Sequence, residues 1–89
     1  MIYKYKIRKK ARKFINSQDV NQRQRILRAI YLLPFLGDIV KIAGHDNLYR
    51  LRVGDCRIIF SIDIIEEEET VTLIDVSDAG NRGQIYNKY

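Results

Sequence analysis

The sequence predicts an α+β fold in the order β-α-α-β-β-β-β, with an N-terminal strand and an α-helical hairpin packed on an antiparallel β-sheet. Three observations carry this reading. Residues 2 to 7, IYKYKI, alternate apolar and basic side chains with a period of two. Apolar residues then repeat at helical spacing, first Ala11, Phe14 and Ile15, then Val20, Ile26, Leu27, Ile30 and Leu33. Beyond Pro34 the period returns to two, in runs separated by glycine-containing turns.

Each element has a local cause. The first strand sends its lysines to solvent. The first helix runs from Arg8, pairs its apolar stripe with a basic face, and ends at Asn16 and Ser17. Asp19 followed three residues later by Gln22 matches a capping box and opens the second helix. Pro34, which lacks an amide proton and clashes with the preceding turn, stops that helix near Leu33. The short connection between the two helices predicts a hairpin. After the loop FLGD, strands are expected over 39–43, 48–53, 56–63 and 70–76, with a turn over Gly44 to Asn47. The acidic run Glu66 to Glu69 is read as a solvated connection between the last two strands. The tail AGNRGQIYNKY holds two glycines and no clear period, so it reads as a loop with room for one helical turn.

Composition narrows the function classes. At 89 residues the chain fits a single domain, residues 1–89, with one modest core. Its longest apolar runs, such as Ile30 to Phe35, fall far short of the roughly 20 residues that span a bilayer, and MIYKYKIRKK lacks the apolar stretch of a signal peptide. A cytoplasmic location without membrane attachment is the resulting expectation. The lone Cys56 excludes an internal disulfide and a cysteine-based zinc site, and the lone His45 sits in a turn without a second ligand, so no metal and no cofactor are expected. The net charge of +5 is unevenly spread. Residues 1 to 60 carry 14 Lys+Arg against four Asp, whereas residues 61 to 89 carry two basic against seven acidic residues. Concentrated positive charge suits a polyanion such as nucleic acid or the ribosome.

The stretch YRLRVGDCRIIF focuses that charge. A two-residue turn at Gly54-Asp55 sets the register, pairing Val53 with Cys56, Arg52 with Arg57, Leu51 with Ile58, Arg50 with Ile59 and Tyr49 with Phe60. Alternation then places Tyr49, Leu51, Val53, Cys56, Ile58 and Phe60 on a core face and Arg50, Arg52 and Arg57 together on the other. Like charges directly opposite one another cost on the order of a few tenths to 1 kcal/mol per pair. Two readings remain open: pairing with Asp75, Asp78 or the tail, or a phosphate site, since guanidinium forks grip phosphate oxygens bidentately.

YRLRVGDCRIIFSI followed by NRGQIY resembles the RelE/ParE superfamily of small bacterial toxins, and more closely its RelE-like branch. The resemblance covers essentially the whole chain. It implies the toxin of a type II toxin–antitoxin system that cleaves mRNA on the ribosome, with a cognate antitoxin that blocks it and an antitoxin-borne contact to operator DNA. Carried over by position, it implies catalytic roles for Arg52, Arg57, Arg82 and Tyr86, and contacts to RNA phosphates from Arg50, Arg52, Arg57 and Lys41. The chain departs from the pattern at Gly80 and Asn81, where many relatives carry histidine or another arginine, which leaves the general acid unassigned. Such a ribonuclease needs no metal, because the RNA 2′-hydroxyl is the nucleophile. Arginine and tyrosine are both protonated at neutral pH, so neither is an efficient base. Two alternatives stay open: a ParE-like inhibitor of DNA gyrase, and an RNA- or ribosome-binding homologue without catalysis.

Overall fold

The computed structural model describes residues 2–66 and 70–89. The elements are β1 (Ile2–Ile7), α1 (Lys9–Asn16), α2 (Val20–Tyr31), β2 (Asp38–Lys41), β3 (Tyr49–Val53), β4 (Cys56–Glu66), β5 (Thr70–Asn81) and α3 (Arg82–Tyr86). The expected fold class and element order hold, with one short helix added at the C-terminal end. Of the acidic connection, Glu67 to Glu69 lie outside the described residues.

The five strands form one sheet in the order β1-β5-β4-β3-β2. Strands β2 to β5 pair antiparallel, as expected, while β1 joins the far edge parallel to β5, with Ile2 beside Val71 and Ile7 beside Val76. The helical hairpin supplies the crossover that a parallel pairing requires. Where β1 stops, the Arg8 N–H donates to Val76 O, and α1 continues along the second half of β5.

One face of the sheet carries the core. Ala11 and Ile15 from α1, Ile26 and Ile30 from α2, and Leu33 pack on Leu51, Val53, Cys56, Ile58, Phe60, Ile74, Val76 and Ala79. The α2 N-terminus is half of the expected box: Asp19 Oδ1 accepts the Gln22 N–H at 2.9 Å, but the Gln22 side chain reaches inward to Cys56 Sγ at 3.3 Å. At the other end of the hairpin, Tyr5 Oη donates to Leu33 O at 2.6 Å. Tyr3 and Tyr5 pack edge-on against Phe35 and Tyr31, and Tyr49 stacks on Phe60, so these rings serve packing.

Two boundaries differ from expectation. Strand β2 covers Asp38–Lys41, so Ile42 and Ala43 belong to the following loop. Strand β5 runs on to Asn81 rather than ending near Val76, and the tail read as loop is strand and then helix. Ala79 and Gly80 are poor strand formers by propensity, yet they are held by pairing with Ile58 and Arg57. A β-bulge accompanies the extension: Phe60 pairs with Val76 and Ile59 with Asp78, leaving Ser77 as the extra residue. The bulge resets the alternation. Ala79 stays on the core face, while Asp78 and Gly80 turn to the opposite one.

Candidate active site

The predicted hairpin register holds at all five pairs, from Tyr49 with Phe60 to Val53 with Cys56. Gly54 makes the turn possible: its φ of +59° lies in the left-handed region, which is required at the first central position of this kind of two-residue turn. With the register fixed, Arg50, Arg52 and Arg57 share the face turned away from the core.

That face is closed by α3. The Arg82 N–H donates to Asp55 O at 2.9 Å, tying the start of the helix to the β3–β4 turn. Inside its first turn the Asn81 N–H donates to Gln84 Oε1 at 2.9 Å. Gly80 lets the helix approach, since a Cβ there would lie 3.0 Å from Gln84 Oε1 and 3.3 Å from Ile85 Cδ1. The absence of a side chain at Gly80 is therefore a packing requirement of this chain.

Between hairpin and helix lies a cleft of about 440 Å³. Arg50, Arg52 and Arg57 line it from the sheet, Arg82 and Tyr86 from α3, and Val40 to Ala43 from the β2 edge; Ile59 and Ile85 are buried among them. All four residues expected to be catalytic thus line one cavity, as does Arg50. Lys41 also borders it, but its pairing with Tyr49 puts it in phase with the core-facing residues, so it reaches the cleft only at the open edge of β2.

The electrostatics distinguish the two readings of the arginines. Asp75 is occupied by Arg8, whose Nε and Nη2 hold its two carboxylate oxygens at 3.0 and 2.8 Å. Asp78 is occupied by Lys10 and Lys88. Of the cleft arginines only Arg52 has a carboxylate partner among the described residues, Asp38 across the β2–β3 pair at 2.8 Å. Arg57 donates to the carbonyls of Gly54 and Cys56 at 2.9 and 3.1 Å. Its guanidinium is held below the ordinary arginine value by burial first and then by the charges of Arg50, Arg52 and Arg82, with Asp55 opposing. Arg50 Nε is buried and hydrogen-bonds to no protein group. Convergent cations with an unused buried donor are the electrostatic signature of a site for an anion.

Sequence reasoning missed Tyr89, which lines the cleft three residues after Tyr86. The spacing Tyr86-x-x-Tyr89 was an available signal, since it sets both rings on one side of a helical turn. It also missed His45 as a neighbour of the site: its ring lies 6.3 Å from that of Tyr89. No group of three or more His, Cys, Asp or Glu side chains suited to a metal occurs among the described residues, and no described helix is long and apolar enough to cross a membrane.

No protein-family model matches the chain, and no curated protein sequence matches it. Solved structures do. A chain of the RelB–RelE antitoxin–toxin complex from Methanococcus jannaschii superposes with a TM-score of 0.64 at 24% identity, over 94% of this chain and 98% of the other. The archaeal RelE–RelB complex from Pyrococcus horikoshii OT3 gives 0.61 at 27% identity, over 94% and 99%. The toxin–antitoxin complex RelBE2 from Mycobacterium tuberculosis gives 0.61 at 15%, over 92% and 100%. Along nearly its full length the chain has the fold found in these three toxin–antitoxin complexes.

Proposed function

We propose that the protein is the toxin of a toxin–antitoxin pair and acts as a metal-independent endoribonuclease on mRNA at the ribosome. The observation that carries the enzymatic reading is the cluster centred on Arg57: four arginines on one cleft, of which only Arg52 has a carboxylate partner among the described residues. The likeness in fold to chains from RelE–RelB complexes supports the toxin and antitoxin roles.

The cleft suits in-line attack of an RNA 2′-oxygen on its own 3′-phosphate. The new bond joins O2′ to phosphorus and the P–O5′ bond breaks, leaving a 2′,3′-cyclic phosphate and a 5′-hydroxyl. The proton lost from the 2′-hydroxyl is balanced by one delivered to the 5′-oxygen. Arg57 and Arg82 stabilise the charge that accumulates on the phosphorane, commonly the largest single catalytic contribution. Arg50 and Arg52 hold flanking phosphates. Tyr86, three-quarters exposed beside the cleft, offers its ring to an unpaired base. None of these side chains is an efficient base at neutral pH, which accounts for a dependence on the ribosome to align the 2′-hydroxyl.

The antitoxin reading has its own surface. Tyr31, Leu32, Phe35 and Leu36 are exposed around the end of α2, and Val40 is exposed on the edge strand β2 beside the cleft. A partner segment with apolar side chains for this strip and carboxylates for the arginines would cover both at once.

The test is primer extension on an mRNA in a cell-free translation reaction, alongside the same RNA without ribosomes. Cuts confined to translated codons, reduced about 10²- to 10³-fold by Arg57→Ala or Arg82→Ala with the fold intact, are the expected result. Full cleavage in both variants would overturn the site. An uncut message together with inhibited gyrase supercoiling would establish the ParE-like alternative.

A further inference from the structure

The bulge at Ser77 brings one carboxylate to the arginine side of the sheet, and that carboxylate is almost completely buried. Asp78 is 2% exposed. Its Oδ1 accepts the N–H of Ala79 at 2.9 Å. Its Oδ2 meets three donors: Lys88 Nζ at 3.3 Å, Tyr89 Oη at 3.2 Å and Lys10 Nζ at 3.4 Å. Two of the three come from the residues that directly follow α3, and the third comes from α1.

The helix between these anchors is weak by itself. It has five residues and buries only Ile85, and one turn of helix is not self-sustaining in water. Its start is tied by the bond from the Arg82 N–H to Asp55 O. Its end is tied by what Lys88 and Tyr89 do at Asp78. Arg82 and Tyr86 lie between the two ties, one turn apart on the cleft.

We propose that Asp78 is a positioning residue of the candidate active site: by clamping Lys88 and Tyr89 it holds α3, and with it Arg82 and Tyr86, in register over the arginines of the sheet. The inference rests on the endoribonuclease reading for its catalytic consequence but not for the clamp itself. Both lysines keep substantial exposure, 62% for the Lys10 side chain and 44% for that of Lys88, so on loss of the carboxylate they return to water. The effect therefore falls on the placement of α3 more than on the core.

Asp78→Asn in the full chain, with amide hydrogen exchange over residues 82–89 and single-turnover cleavage in the translation reaction, provides the test. Exchange in that segment should rise at least tenfold while the amides of β3 and β4 stay protected. The cleavage rate should fall about tenfold, with half-saturation by the message changed less than twofold. A Lys88→Gln, Tyr89→Phe variant approaches the clamp from its exposed side and should reproduce both effects should Asp78→Asn not fold. Combining the two should add little to either, because each breaks the same linkage. Unchanged exchange, or strictly additive losses, would overturn the clamp. Raised exchange in a protein that cuts no RNA in any form would uphold the clamp and remove the endoribonuclease reading.

Discussion

The two faces of one sheet follow opposite rules. On the helix-covered face every position between Leu51 and Phe60 that points inward is apolar and buried, and neighbours reinforce one another by excluding water. On the other, the same two strands set Arg52 against Arg57 and crowd Arg50 and Arg82 beside them, so neighbours repel. The first face shows what the fold costs to remove. The second shows a cost retained in the folded protein, and such a cost is met when an anion binds.

That contrast can be broken from either side. The largest effect belongs to the core: Phe60→Ala, at a residue with no solvent exposure, should destabilise by about 3–5 kcal/mol and lower Tm by at least about 12 °C in a thermal melt. Next comes the seam where α3 meets the sheet. Gly80→Val forces a side chain against Gln84 and Ile85, with an overpacking cost of about 1–3 kcal/mol and a loss of cleavage larger than the loss of stability suggests, read by comparing a melt with the translation assay. On the charged face the sign reverses. Arg50→Met removes a like charge and an unbonded buried donor, so it should stabilise by on the order of 0.5 kcal/mol, a Tm rise of about 2–4 °C, while weakening RNA binding. A fall in Tm for Arg50→Met would mean that the cluster is structural.

The smallest effect at neutral pH appears only in acid. Burial pushes the Asp78 carboxyl up, but the hydrogen bonds from Lys88 and the Ala79 N–H and the nearby lysine charges outweigh it and hold its pKa below the usual value. A carboxyl depressed on folding contributes stability in full above about pH 4, lost as pH falls through its lower folded-state value. Asp78→Asn should therefore flatten part of the acid limb of a stability–pH curve and leave the limb above pH 5 unchanged.

The hairpin was legible because two independent signals agreed: a two-residue turn that needs glycine at its first position, and an alternation that allows only one register. The helices were legible for the same reason, apolar spacing and a capping aspartate pointing to the same boundaries. What escaped has physical causes. The parallel partner of β1 depends on the crossover path, which no local pattern in IYKYKI encodes. The second half of β5 is built from residues with little strand propensity and is held by pairing alone. Tyr89, Asp38 and Asp78 act through side chains that meet only after the sheet has formed. Arg52 paired with Asp38 rather than with either aspartate foreseen for it, because the strand bearing Asp38 is its neighbour in the sheet and the other two are already taken.

Ser77 adds one residue of length to β5 where its partner strand has none. A strand has only two phases, so this surplus works as a parity bit for everything downstream. Removing it would not merely shorten the strand: it would send Ala79 outward, drive the Asp78 carboxylate into the apolar core, and deliver Arg82 and Tyr86 from the wrong side. Along a lineage, substitutions around the cleft can accumulate one at a time, whereas a single-codon deletion at this point has no tolerable intermediate.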